Sequence, residues 1–287
     1  MTSTRARSHP FWTPKATIAN LFLLGIAFLA VYPFLVMLFG GFKTSGELSL
    51  NPAGIPKTPT VDNYVQLFTG HSGLMLRALF NSAFVTICFT LITVLFCALA
   101  GYAFAKYKFR GQNAIFAILI ASMLIPAEVN LPILYILFSR IGWLNTYQVQ
   151  ILPGTASVLG MFMARQFMRA LPTEVLESAR VDGAGHWRTF WQIAMPMSTP
   201  VLGAIAILLA VQKWADYLWP RILISDPTMQ PVMVMLPQLS AGDAGTFIIR
   251  YEILLAGAVV ITLPILLVFL KFQNQLMTGT TAGAVKS

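Results

Sequence analysis

The chain alternates between long apolar blocks and shorter polar connections. A helix needs about 20 apolar residues to cross roughly 30 Å of hydrocarbon, and six blocks reach that length with few charged side chains. The pattern therefore predicts an all-α integral membrane protein with six transmembrane helices. The predicted helices span Thr17–Phe39, Phe80–Ala105, Ala114–Phe138, Thr146–Phe167, Ser198–Leu218 and Tyr251–Phe272.

Two of the polar connections differ in character. The segment 43–77 contains Pro52, Pro56 and Pro59, which break its periodicity and predict an irregular extracytoplasmic loop. The connection 171–197 instead places charged and apolar residues at helical spacing. It predicts two short amphipathic helices, broken near Gly183 and Gly185. A folded loop of this size indicates a docking surface for another protein.

The composition supports a bilayer environment. The 287 residues are 57% hydrophobic and 10% charged, whereas soluble domains usually carry about 25% charged residues. The net charge of +9 does not indicate nucleic-acid binding, because the Lys and Arg residues lie at the ends of the apolar blocks and not in one solvated patch. The expected surroundings of the chain are therefore membrane lipid, without nucleic acid.

The Lys and Arg residues also predict the orientation, because cytoplasmic loops carry an excess of them. With the amino terminus inside, twelve of them flank cytoplasmic helix ends, six flank the opposite ends, and Lys213 lies within a helix. Both termini are therefore predicted to be cytoplasmic. The expected organisation is a cytoplasmic leader over 1–16, a transmembrane domain over 17–272 with the cytoplasmic loop 171–197, and a cytoplasmic tail over 273–287.

The loop 171–197 contains a spaced set of residues suited to docking. A helix that seats in a groove of another subunit needs small residues on its contact face, a charge to pair with the partner, and a glycine that permits a sharp turn. Periodicity alone equally fits an amphipathic helix lying on lipid headgroups. The candidate coupling residues are Glu177, Ser178, Ala179, Asp182, Gly183, Ile193 and Pro196.

This loop resembles the one that marks permease subunits of binding-protein-dependent ABC importers. The family pattern is Glu-Ala-Ala, three residues, Gly, nine residues, Ile, one residue and Leu-Pro; here Ser178 replaces the first alanine and Met195 the leucine. The resemblance covers nearly the whole chain and favours the carbohydrate branch, which includes the maltose importer. The other matching segments are Asn81-Ser82, Ala100–Ala105, Ile125–Val129, Gly142–Tyr147, Trp214–Pro220 and Gly279–Lys286.

The resemblance implies an assembly and a mechanism. The expected partners are a second permease subunit, favouring a heterodimer, two copies of a cytoplasmic ATP-binding subunit and an extracytoplasmic solute-binding protein. The cargo is expected to be a sugar, oligosaccharide or polyol, moved by alternating access across a bacterial or archaeal cytoplasmic membrane. By the same resemblance, the carboxyl-terminal tail is expected to touch the ATPase pair.

The sequence holds no chemistry of its own for ATP hydrolysis. It contains neither a Gly-x-x-x-x-Gly-Lys-Ser/Thr phosphate loop nor a metal-ligand cluster among His9, His71 and His186. The chain is therefore expected to be a transport subunit and not an enzyme, with no catalytic residue and no bound cofactor. ATP and Mg²⁺ are expected to be used by the partner ATPase.

Charged residues at membrane depth mark a candidate substrate pathway, because they usually face a bundle interior or a water-filled cavity. Glu128 lies between the helix-disrupting Pro126 and Pro132, and Lys213 and Asp216 are close enough on one helix to pair. The alternative is a structural ion pair beside an interfacial belt of aromatic residues. The candidate pathway residues are Glu128, Trp214, Asp216, Tyr217 and Trp219. The rings of Trp214, Tyr217 and Trp219 would face sugar C–H groups, and the Asp216 carboxylate would accept hydroxyl hydrogen bonds.

Three other functions remain open at this point. An ion-coupled secondary transporter would use Glu128 or Asp216 as its ion site, although no convincing inverted repeat relates the two halves of the chain. The same ABC machinery could carry glycerol phosphate, amino acids or peptides. A membrane scaffold without transport activity would have no ATPase partner.

Overall fold

The computed structural model describes residues 14–241 and 249–281, and this part of the chain is almost wholly helical. An isolated antiparallel bridge joins Ala241 and Ile249. Three described helices are long and apolar enough to cross a membrane, or four if a pair bent by 75° counts as one span. The all-α prediction is therefore confirmed for the described residues.

The fifteen α-helices of the described ranges differ widely in length. They are α1 (Pro14–Gly40), α2 (Ser45–Leu50), α3 (Asp62–Thr69), α4 (Leu74–Lys106), α5 (Gln112–Ser122), α6 (Leu131–Arg140), α7 (Tyr147–Ile151), α8 (Val158–Arg169), α9 (Thr173–Val181), α10 (His186–Thr189), α11 (Met195–Met197), α12 (Thr199–Trp214), α13 (Leu218–Leu223), α14 (Val232–Leu239) and α15 (Tyr251–Thr281). Short 3₁₀ turns lie at Gly70–Gly73 and Ala127–Asn130, and a π-helix at Phe190–Ala194.

The chain divides into two compact units. Of the described residues, one unit comprises 14–67, 240–241 and 249–259, and the other comprises 68–239 and 260–281. In the second unit, α4 packs against α8 and α12. A Cβ atom added at Gly101 of α4 would lie 2.7 Å from Ala164 Cβ and 2.9 Å from Arg165 N, both on α8. The two backbones approach this closely because residue 101 has no side chain.

Two stretches predicted as single helices are broken, so that part of the prediction is wrong. Over 114–138 the chain leaves the helix at Ser122, turns through Pro126 and resumes a helix at Leu131. Over 146–167 it breaks at Pro153 and at Gly154, whose φ is +83°. Proline cannot donate the helical hydrogen bond, and a left-handed glycine ends a helix.

The segment after α1 is more ordered than the predicted irregular loop. Lys43 is fully buried, and its Nζ donates to the carbonyl oxygen of Asn51 at 2.6 Å. The Glu47 carboxylate accepts from the backbone N–H of Lys57 at 2.5 Å and from the Thr58 hydroxyl at 3.1 Å. The Lys57 bond, above all, holds the pKa of Glu47 below its usual value. These bonds fix residues 43–58 into a folded loop.

A polar network in the second unit connects the first turns of α4 with the segment before α14. Asn81 Nδ2 donates to the carbonyl oxygen of Thr228 at 2.9 Å, and its Oδ1 accepts from the Tyr147 hydroxyl at 2.7 Å. Ser82 Oγ accepts from the backbone N–H of Val232 at 2.8 Å. Asn81, Ser82 and Tyr147 belong to the segments that carry the family resemblance, and here they hold loops in place.

Candidate functional site

A cavity of about 610 Å³ lies within the second unit. The turn around Glu128, helix α7 and the junction of α12 with α13 form its walls. Four of the five predicted pathway residues line it, namely Glu128, Asp216, Tyr217 and Trp219. Residues far apart in sequence therefore meet around one space, which is large enough for a small polar solute.

An ion pair lies in the cavity wall. Lys213 Nζ and Asp216 Oδ2 are 2.9 Å apart, and the two side chains are 11% and 18% exposed. The predicted pairing of these residues is confirmed. Lys213 Nζ also lies 5.2 Å from the centre of the Phe89 ring, close enough for a cation–π contact. Two charges in a shielded wall stabilise each other, whereas either one alone would be costly there.

Glu128 lies in the same cavity wall but is more exposed than the Lys213–Asp216 ion pair. It is exposed and occupies the 3₁₀ turn that follows Pro126. Neither ion pair recorded in the described part of the chain includes it. Its carboxylate is therefore available to accept hydrogen bonds from a solute in the cavity.

Trp214, unlike the other four predicted pathway residues, does not line the cavity. The side chain is 9% exposed, and its indole N–H donates to the carbonyl oxygen of Ile261 at 3.2 Å. Successive helical residues point about 100° apart, so Lys213 and Trp214 face different directions at the end of α12. Trp214 therefore anchors α12 against α15 inside the unit.

The predicted docking loop folds as two short helices separated at residues 182–185, which confirms the predicted break. Gly183 has φ +83°, and Ala184 N–H donates to the carbonyl oxygen of Ala179 at 2.9 Å. This bond and the left-handed glycine form a Schellman-type end to α9. Glu177, Ser178 and Asp182 are exposed, and Ala179 is half-buried.

The later motif residues have a different environment. Ile193 lies in the π-helix Phe190–Ala194 and packs, partly buried, against the hydrophobic core around α4, α8 and α12. Pro196 follows in α11 and is exposed. The helical segments on either side of Ser198 meet at 75°. Glu177, Ser178 and Asp182 thus form an exposed surface in the first half of the motif. In the second half, Ile193 packs the loop against the core helices.

The family model described as "Binding-protein-dependent transport system inner membrane component" matches residues 94–277. The chain belongs to this family. The match covers the loop 171–197 and every cavity-lining residue except Phe89, and it confirms the family resemblance found in the sequence. It also agrees with the long apolar helices of the described chain.

Full-length relatives of this inner membrane component carry transport names. This chain is 34% identical to the arabinooligosaccharides transport system permease protein AraQ of Halalkalibacterium halodurans, over 98% of this chain and 99% of the relative. It is 32% identical to AraQ of Bacillus subtilis, over 98% and 99%. It is 29% identical to the diacetylchitobiose uptake system permease protein NgcG of Streptomyces coelicolor, over 94% and 89%.

Solved structures share the fold of this inner membrane component. A chain of a bacterial ABC transporter involved in the import of the acidic polysaccharide alginate superposes with a TM-score of 0.80, at 20% identity over 93% of this chain and 99% of the other. A chain of a bacterial alginate ABC transporter in complex with an alginate pentasaccharide-bound periplasmic protein gives 0.63, at 16% identity over 88% and 91%.

Sequence reasoning missed several polar residues of the cavity. Asn130, Gln150 and Gln212 line it together with the predicted set. Gln150 is 3% exposed, and its Nε2 donates to the carbonyl oxygen of Met229 at 3.2 Å. Amide side chains inside apolar blocks were the available signal, because such groups need partners away from water. Only the fold shows that these three residues share a cavity.

Proposed function

We propose that this chain is the permease subunit of an ATP-driven ABC importer that moves a sugar, oligosaccharide or polyol across the inner membrane by alternating access. The observation that carries the proposal is the exposed face of helix α9, which ends at the left-handed Gly183, within a chain of this family. Relatives named as arabinooligosaccharide permeases match it over nearly their whole length, which supports a carbohydrate cargo.

The proposed topology has six spans with both termini in the cytoplasm. Three are the long helices over Ala16–Gly40, Leu74–Lys106 and Tyr251–Phe272, and a fourth includes the bent segment that ends in α12. The two broken stretches, α5 with α6 and α7 with α8, supply the remaining two. Irregular backbone at membrane depth is tolerated where it lines a cavity, and both breaks adjoin residues of the cavity wall.

The proposed coupling runs through the loop 171–197. Two cytoplasmic ATP-binding subunits serve the transporter, one of them docking on the exposed face of α9, and they alone use ATP and Mg²⁺. The partly buried Ile193 transmits the displacement of the loop to α12. A second permease subunit completes the pathway, and an extracytoplasmic solute-binding protein delivers the cargo.

The cavity supplies this subunit's part of the proposed substrate pathway. Tyr217 is 44% exposed and Trp219 is partly buried, so both present ring surface to the space. Such rings pack against the C–H faces of a sugar. Glu128 and the unpaired lone pairs of Asp216 accept hydrogen bonds from its hydroxyl groups, while the amides of Gln212 and Asn130 can both donate and accept.

Co-purification tests this proposal. The tagged chain is isolated from its own cells in mild detergent, and its companions are identified by mass spectrometry, in parallel with a Glu177→Lys variant. The proposal expects a nucleotide-binding ATPase and a second permease with the wild type, and loss of the ATPase alone from the variant, because a reversed charge opposes docking. Isolation of the wild-type chain without an ATPase, with uptake that survives ATP depletion and collapses with the ion gradient, would favour a secondary transporter.

A further inference from the structure

A second cavity in the same unit differs from the first in chemistry. It is a groove of about 230 Å³ between α4, α5 and the start of α8, and its lining atoms are almost all apolar. Phe96 lines it and is 48% exposed, and Ala156 lines it and is also exposed. The groove therefore opens at the surface of the unit. A polar solute finds few hydrogen-bond partners in such a space, whereas a hydrocarbon chain needs none.

The groove leads to cationic side chains at the carboxyl end of α4. Phe104 lines the groove, and its ring contacts the rings of Phe109 and Phe116 at 5.5 and 5.7 Å. The guanidinium of Arg165 lies 3.9 Å above the Phe116 ring, and its Nε donates to the carbonyl oxygen of Phe104 at 3.3 Å. These contacts fix the Arg165 guanidinium at one end of the groove.

Two further cations neighbour Phe109, whose ring contacts the groove residue Phe104. Lys108 and Arg110 are exposed and flank Phe109 in the connection between α4 and α5. Neither ion pair recorded for residues 14–241 and 249–281 includes Lys108, Arg110 or Arg165. None of the three cationic side chains therefore forms a recorded ion pair with a carboxylate. Together with the apolar groove, they complement a ligand that has an anionic head and an apolar tail.

We infer that the groove between α4, α5 and α8 is a binding site for an anionic phospholipid. An acyl chain occupies the groove, and the headgroup phosphate accepts hydrogen bonds from Arg165, whose planar fork matches phosphate oxygens. Lys108 and Arg110 add attraction at the membrane surface, where basic residues favour acidic lipids. The bound lipid bridges α4 and α8, the most extensively packed helix pair of the unit. This groove shares only Ser157 with the lining of the proposed substrate cavity, and the inference does not depend on the cargo.

Native mass spectrometry of the assembled transporter tests the inference. The detergent-purified complex is exchanged with phosphatidylglycerol or phosphatidylcholine at equal concentration, and retained lipid is counted. The wild type is expected to retain phosphatidylglycerol preferentially. Arg165→Gln is expected to lower that retention about tenfold, the effect of one charge-assisted hydrogen bond. Ala156→Trp fills the groove from an exposed position and is expected to lower it similarly, while Lys271→Gln, a basic residue on α15, is the control and leaves it unchanged.

Three results would overturn the inference. The first is equal retention of the two lipids by the wild type. The second is unchanged phosphatidylglycerol retention in both Arg165→Gln and Ala156→Trp. The third is an Ala156→Trp complex that loses its second permease subunit but keeps its lipid, which would identify a protein segment as the occupant of the groove. Because the complex itself is the sample, recovery of the partner subunits tests the proposed function separately.

Discussion

Replacing Gly183 with alanine should weaken ATPase docking through backbone strain alone. The residue has φ +83°, and a Cβ atom added there meets no other atom within 4 Å. The left-handed conformation costs a non-glycine residue about 1–2 kcal/mol. If docking requires the turn in this conformation, that cost reduces the affinity of the ATPase about 5- to 30-fold, since about 1.4 kcal/mol is tenfold.

The chain provides a matched control two residues away. Gly185 has φ −67° and ψ 168°, an extended conformation open to any residue, and a Cβ atom there also meets nothing within 4 Å. Gly185→Ala should therefore dock like the wild type. Gly183→Asn should lose less than Gly183→Ala, because asparagine tolerates the left-handed region better than alanine.

The assay is titration of the purified ATPase subunit onto the permease pair in nanodiscs, with expression and membrane insertion of each variant measured alongside. The affinity for the ATPase should be highest for the wild type and Gly185→Ala, lower for Gly183→Asn and lowest for Gly183→Ala. Equal affinity for Gly183→Ala and wild type would refute this prediction. An equal loss for Gly183→Ala and Gly185→Ala would also refute it, because the effect would then not follow the left-handed backbone.

Three other perturbations test separate parts of the structure. Asp216→Asn leaves Lys213 shielded from solvent without its counter-ion and should lower the unfolding temperature of the detergent-solubilised complex. The double variant Lys213→Gln with Asp216→Asn should recover part of that temperature loss. If it recovers none, the pairing is contradicted. The Tyr107 hydroxyl lies 2.9 Å from His186 Nδ1, so a double-mutant cycle of Tyr107→Phe and His186→Ala should give a coupling of about 1 kcal/mol in the unfolding free energy of the detergent-solubilised complex, and strict additivity would contradict the contact. The pKa of Glu47 is lower in the folded loop than in the unfolded chain, so Glu47 stabilises the loop above its unfolded pKa and loses this effect as the pH falls through its folded pKa. Hydrogen exchange across residues 43–58, corrected for the intrinsic rate, should therefore become faster from pH 6 to pH 3 in the wild type. The change should be smaller in Glu47→Gln.

The local fold of the loop 171–197 was predictable because its features are local. Glycine at 183, small residues at 178 and 179 and charges at helical spacing specify a short helix, its end and its exposed face without reference to the remaining chain. The role of Ile193 was not predictable in the same way. Its partial burial depends on a π-helix and a 75° bend that bring it against the core.

The cavity was only partly predictable, because its residues come from distant segments. Charges within apolar blocks pointed to Glu128 and Asp216, but nothing in the sequence places Gln150 beside them. Trp214 lies outside the cavity lining because its neighbours along the chain face the cavity while it faces α15. The helix breaks near Pro126 and Pro153 had visible signals, yet length and hydropathy alone favoured continuous helices over both stretches.

Uptake by the reconstituted transporter tests whether this chain belongs to an ATP-driven sugar importer. The permease pair, ATPase and solute-binding protein are placed in proteoliposomes, and a panel of labelled sugars, including arabinooligosaccharides, is offered outside with ATP or a non-hydrolysable analogue inside and no ion gradient. An ATP-driven importer should accumulate at least one sugar with ATP and none with the analogue, and its rate should fall with Gly183→Ala but not with Gly185→Ala. Accumulation that is the same with the analogue, or that appears only when an ion gradient is imposed, would contradict this prediction.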